Sequence, residues 1–180
     1  MEAIAAMLQP TARNLLDAWL RLERRDCVPD RALFNPMSVA RILPVVSLVE
    51  RIDDDEWRLR LVGTEIERRW GRTLTGCNYL DLISSEAAPT MLEEFRQVIR
   101  QPCGSWSLRK LQLRSGATLT VETLRLPLRG ADGSVNLILG CSGEISRAYH
   151  TAADEPRAIA TIADHRFFDI GAGVPMNALI

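Results

Sequence analysis

The sequence predicts an α+β domain built around an antiparallel sheet. Three observations carry this. Apolar residues recur at helical spacing near the N-terminus and again around residues 89–101. Five stretches are instead strand-like, two of them before the second helical stripe and three after it, joined by turn-forming residues. The chain has 180 residues, 47% hydrophobic and 25% charged, an ordinary globular composition for one domain.

In the first segment Leu8, Ala12, Leu15, Leu16, Trp19 and Leu22 form one apolar helical stripe, with Arg13, Asp17, Arg21 and Arg24 opposite, and Pro29 ends the element. Asn35-Pro36 opens a second, short helix, since Asn caps well and Pro lacks the N–H that would go unpaired there. Val39, Ile42 and Leu43 give it an apolar face, and Pro44 closes it. Val45–Ile52 reads as a strand, Asp53-Asp54-Asp55 as a turn, and Trp57, Leu59 and Leu61 alternate with Arg58 and Arg60 as the second arm of a hairpin. Thr64-Glu65-Ile66-Glu67 has the spacing of a capping box for a helix cut short by Gly71. Leu74, Tyr79, Leu80, Leu82 and Ile83 are expected to be packed inside by irregular turns. Met91, Leu92, Phe95, Val98 and Ile99 form a longer helix ending before Pro102.

Residues 106–113 and 119–128 are strands that each break alternation once. A turn centred on Gly116 pairs Leu113 with Leu119, Leu111 with Val121, Lys110 with Glu122, Leu108 with Leu124 and Trp106 with Leu126, and places an irregularity at the two breaks. Asp132-Gly133 turns the chain into Val135, Leu137, Leu139 and Cys141. From about 147 onward the periodicity fades and a tail is expected. The domain plan is therefore an N-terminal amphipathic helix over 1–27, a core over 28–146 and a C-terminal tail over 147–180.

Net charge is −1, so no overall field draws the chain to nucleic acid or to an acidic membrane surface. Of the 22 basic residues only Lys110 is lysine; the arginines are scattered among acidic residues. Cys27, Cys77, Cys103 and Cys141 form no Cys-x-x-Cys pair and neither histidine lies beside one, against a zinc site. No apolar run reaches the ~18 residues of a membrane span, and no basic region leads a long apolar segment, so a cytoplasmic location with reduced thiols is expected.

The text itself resembles a known family. Leu15 to Trp19, Val28-Pro29-Asp30-Arg31, Asn35-Pro36, Leu43-Pro44, Arg60-Leu61-Val62-Gly63-Thr64 and Gly71-Arg72-Thr73-Leu74-Thr75-Gly76 resemble a bacterial PAS subfamily, frequent in alphaproteobacteria and long listed as a domain of unknown function. The likeness covers roughly residues 10–146, with Asn35 standing where Asp is the norm. It implies a five-stranded antiparallel sheet with helices over one face, and a non-catalytic sensory or regulatory module that binds a small molecule or a signalling partner in trans. It also implies a pocket between sheet and helices, for which Leu59, Leu61, Tyr79, Phe95, Trp106, Leu137 and Cys141 are the candidate lining residues; the alternative is that these side chains fill the core. Leu8, Leu15, Trp19 and Leu22 are the candidate interface of a homodimer, because flanking helices often pair between PAS subunits.

Neither haem nor flavin is expected. His150 and His165 fall in the tail, where an exposed imidazole is the usual reading. In Gly76-Cys77-Asn78-Tyr79-Leu80-Asp81, Tyr79 occupies the place of the reactive flavin-photosensor cysteine. Ser84, Ser85 and Ser105 have no core histidine for a base, Glu93-Glu94 is assigned to the outward face of its helix, and no phosphate-binding glycine loop is present. The rival from another class is a small α+β enzyme or carrier with a cone-shaped pocket, as in the nuclear-transport-factor-like superfamily, which places an Asp, His or Tyr inside that pocket.

Overall fold

The computed structural model describes residues 2–146 and 155–175. The N-terminal stripe forms two helices, α1 (Glu2–Met7) and α2 (Pro10–Leu20), because Pro10 restarts the helix at its first turn. Short 3-10 turns follow at Arg31–Leu33, Pro36–Val39 and Leu43–Val45 in place of the expected second helix. The Asn35 cap is present: its side-chain oxygen accepts from the Met37 N–H at 3.0 Å. Then come β1 (Val46–Arg51), β2 (Trp57–Val62), α3 (Thr64–Trp70), a 3-10 turn at Tyr79–Leu82 and α4 (Ala88–Arg100). The chain continues through β3 (Gly104–Leu113), β4 (Thr118–Arg129), β5 (Val135–Ser146) and β6 (Pro156–Phe168).

All strands are antiparallel, in the order β2-β1-β5-β4-β3-β6. The sixth strand corrects the expected tail. Arg157, Asp164 and Arg166 line an edge strand with no continuous apolar face, so its periodicity is weak even though β3 pairs with it along its whole length.

The sheet is covered on both faces, not one. On one side α1, α2 and the 3-10 turns pack on Val46, Leu48, Trp106, Leu124, Leu126, Leu128, Leu137, Leu139 and Cys141. On the other, α3 and α4 pack on Val49, Leu59, Leu111, Leu113, Leu119, Val121 and Ile138. This explains the broken alternation. The β3–β4 ladder is regular over its paired residues, with Trp106 opposite Leu124, Leu108 opposite Glu122, Arg109 opposite Val121, Lys110 opposite Thr120 and Leu111 opposite Leu119. The predicted register is therefore displaced by two residues and its paired irregularity is absent. The turn is a three-residue loop in which Gly116 occupies the last position, at φ 90°, not the middle. Apolar parity switches because one end of each strand is covered by α2 and the other by the helical crossover.

The capping box is also corrected. Gly63 is the N-cap of α3, and Glu67 turns away to accept from the Leu74 and Thr75 N–H groups at 2.9 and 3.2 Å, closing the Gly71–Gly76 loop. Asp53 closes the β1–β2 turn by accepting from the N–H groups of Asp55 and Glu56, both at 2.8 Å.

Candidate functional site

The stripe of α4 that faces the sheet contains Met91, Glu94, Phe95 and Val98, the i, i+3, i+4, i+7 set, so Glu94 is carried inward with its apolar neighbours. Its side chain is fully buried, which overturns the assignment of Glu94 to an outward face. Below it, the odd-numbered residues of β3 and β4 point the same way: Ser105, Ser107 and Arg109 on β3, Thr123 and Arg125 on β4, all buried.

Glu94 receives a charged hydrogen bond from Arg109 Nη2 on one carboxylate oxygen and from Arg125 Nη1, at 3.2 Å, on the other. The Ser105 hydroxyl also donates to this carboxylate. Arg109 donates to Ser107 Oγ at 2.8 Å, and the Tyr79 hydroxyl accepts from Arg109 at 3.2 Å and from Arg125 at 2.8 Å. The Arg125 guanidinium lies 4.7 Å from the Phe95 ring centroid and 5.6 Å from that of Tyr79. Tyr79 is held there by its 3-10 turn, which Asn78 caps by accepting from the Leu80 and Trp57 N–H groups at 3.2 and 3.0 Å. Burial raises the Tyr79 pKa, so its phenol stays neutral.

β6 completes the cluster. His165, expected as an exposed tail residue, has a side chain only 3% exposed, with Nε2 3.7 Å from Glu94. Burial lowers its pKa, with Glu94 opposing and Arg109 assisting that shift, so it faces the carboxylate as a neutral ring; Nε2 makes no hydrogen bond. His150 lies outside the described residues. Ser105 is bonded to the carboxylate and not to an imidazole, so the cluster does not form the nucleophile–base pair of a hydrolase.

Beside these groups the sheet, α3 and the 3-10 turn at Tyr79–Leu82 border a cavity of about 50 Å³. Arg69, Tyr79, Arg109 and Arg125 are its polar borders together with Ser47, Thr123 and Ser142, and the remainder is apolar. Arg69 reaches it from α3 and is held by Glu144 at 3.2 Å and by Ser142 at 3.4 and 3.5 Å. Desolvation lowers the Arg69 pKa despite the Glu144 partner. The cavity is far smaller than cofactor pockets, which run to several hundred cubic ångströms.

Of the predicted lining residues, Leu59 and Tyr79 border the cavity. Phe95 packs behind Tyr79, ring centroids 5.0 Å apart, and belongs to the same core. Trp106, Leu137 and Leu61 lie in the opposite core. Leu61 changes sides because Leu48 pairs with Leu61 while Val49 pairs with Leu59, leaving Arg60 as a bulge. Cys141 touches the cavity but packs its side chain in the opposite core, where burial pushes its thiol up to about 12. Leu8, Leu15 and Trp19 are buried against the sheet of their own chain and Leu22 partly so; a second copy reaches that stripe only if the helix leaves the sheet. Sequence reasoning missed Glu94, Arg109, Arg125 and His165. For Glu94 a signal existed: it is a charge in an inward-facing slot of the otherwise apolar stripe Met91, Phe95 and Val98.

These features define a class: a helix-covered antiparallel sheet with a small, partly polar cavity between the sheet and the crossover that joins β2 to β3. The PAS domain family model matches residues 7–142, and the chain belongs to that family. PAS domains are sensory or regulatory modules that bind small molecules or partners, which sets aside the nuclear-transport-factor-like rival. No curated protein matches the chain. Among solved structures, a light-oxygen-voltage domain studied with a flavin analogue is similar at 16% identity and a TM-score of 0.49, over 64% of this chain and 89% of its own. A Drosophila melanogaster Cycle PAS-B domain with bound glycerol shows 8% identity and 0.45, over 56% and 99%. The Rhodobacter sphaeroides light-oxygen-voltage protein shows 16% and 0.47, over 59% and 62%. Among the described residues no helix is long and apolar enough to cross a membrane.

Proposed function

We propose that the chain is a non-catalytic PAS module whose input is a small molecule taken into the cavity between the sheet, α3 and the turn at Tyr79–Leu82, and whose output passes to a separate signalling protein. The observation that supports it is the cluster at the cavity wall: three arginines and a tyrosine brought inward from α3, β3, β4 and the turn before α4. Burying such groups is costly unless they are paired, and an apolar core of the same volume would be at least as stable. A polar wall kept at that cost fits recognition better than packing.

The test is a thermal-shift screen of small metabolites on the full chain, repeated on Val121→Phe, which adds bulk to the cavity wall. A hit that raises the Tm of the native chain and loses its effect in Val121→Phe supports the reading. Hits indifferent to Val121→Phe, or none at all, count against it.

A further inference from the structure

We propose that the ligand is a short-chain monocarboxylate, its carboxylate held by Arg69, Arg125 and Tyr79 and its alkyl part against Val121 and Ile138. This rests on the reading of the cavity as the input site and names the chemistry it selects.

Charge is the first argument. Three guanidinium groups border the cavity, with side chains 1–5% exposed, and no acidic side chain among the described residues lines it. Arg109 and Arg125 share the single carboxylate of Glu94, and Arg69 pairs with Glu144. Three positive charges therefore meet two negative ones, and a buried excess charge calls for a counter-charge. One negative charge in the cavity supplies it.

Donor geometry is the second. Arg109 is committed to Glu94, Ser107 and Tyr79. Arg69 is held more loosely, its contacts all between 3.2 and 3.5 Å, and desolvation lowers its pKa. A planar carboxylate accepts the fork of parallel N–H groups that a guanidinium presents.

Size and polarity are the third. About 50 Å³ admits a carboxylate with a very short alkyl chain and no aromatic ring. The apolar remainder of the wall suits an alkyl group better than a second charge.

The experiment is calorimetric titration of the full chain, in low-salt buffer, with sodium propionate, with propionamide and hexanoate as near-isosteric and over-long controls, and with sodium chloride. Propionate is expected to bind saturably, and propionamide and hexanoate about tenfold more weakly or worse, the worth of a charge-assisted hydrogen bond or of a chain that does not fit. Arg69→Gln is expected to weaken propionate by about tenfold. Glu94→Gln, which leaves a further positive charge uncompensated, is expected to tighten it. Propionamide binding as well as propionate, chloride competing as strongly, or Arg69→Gln having no effect each overturns the assignment. If a neutral metabolite binds the cavity in a Val121→Phe-sensitive way, the carboxylate assignment falls and the functional reading stands; if nothing binds there, both fall.

Discussion

Glu94 holds Arg109, Arg125 and Ser105 with one carboxylate, and every partner is buried. The net worth of such a cluster over an apolar core is small, but removing one partner leaves uncompensated charge. Glu94→Ala should therefore cost about 3–5 kcal/mol, read from the urea midpoint; a loss below about 1 kcal/mol, the worth of one neutral hydrogen bond, would show that the arginines find other partners. His165 makes a pH prediction. Its folded pKa lies below the ordinary value of 6.5, so below that value the unfolded chain binds the proton first. The stability it contributes is present above pH 6.5 and is lost as pH falls through the folded pKa. Unfolding free energies at pH 7.0 and 5.5, values chosen to straddle about 6.5, should therefore fall further for the native chain than for His165→Gln. Equal losses in the two proteins would rule the effect out.

At the scale of elements, β6 supplies both His165 and Ile159 to the site while covering the open edge of β3. Phe168 and Ile170 extend it into the core under α2. Ending the chain at Ser146 removes these buried side chains, each worth about 1.5–3 kcal/mol, and leaves an unpaired strand edge. Hydrogen exchange at the β3 amides should accelerate and the truncated chain should self-associate; β3 protection equal to that of the native chain would show that β6 is dispensable. The start of α3 is equally constrained. A Cβ on Gly63 would sit 2.3 Å from the Pro44 carbonyl oxygen, so Gly63→Ala must displace backbone. It should cost about 1–3 kcal/mol in chemical denaturation, whereas Gly76→Ala meets no atom within 4 Å and pays only for its φ of 92°.

Across the whole molecule, the sheet is a shared wall between two cores. α2 belongs to one of them: Trp19 is fully buried and donates from its indole N–H to the Pro127 carbonyl at 3.0 Å. Glu122, on the same face, accepts from the Gln9 N–H at 3.2 Å and the Trp106 indole at 2.8 Å, joining α2 to β3 and β4. Trp19→Ala should thus behave as a core substitution, costing about 3–5 kcal/mol. Light scattering should give its folded fraction the same mass as the native chain. A change of mass at undiminished stability would instead place Trp19 between subunits.

Local pattern was enough for α2, for the element order from β1 to β5, for the Asn35 cap and for the family, since helical stripes, glycine turns and strand alternation are written within a few residues. The inward direction of Glu94 was also within reach, because its spacing to Met91, Phe95 and Val98 is that of a buried stripe. What only the tertiary structure decided is which face of the sheet each strand residue serves. Alternation tells that Leu59 and Leu61, or Trp106 and Arg109, differ or agree in side, but not that both sides are covered, nor that the bulge at Arg60 reverses Leu61. The site followed from that choice: Arg109, Arg125 and His165 are remote from Glu94 in sequence, and only the pairing of β4, β3 and β6 under α4 brings their charges and one carboxylate into a single buried cluster.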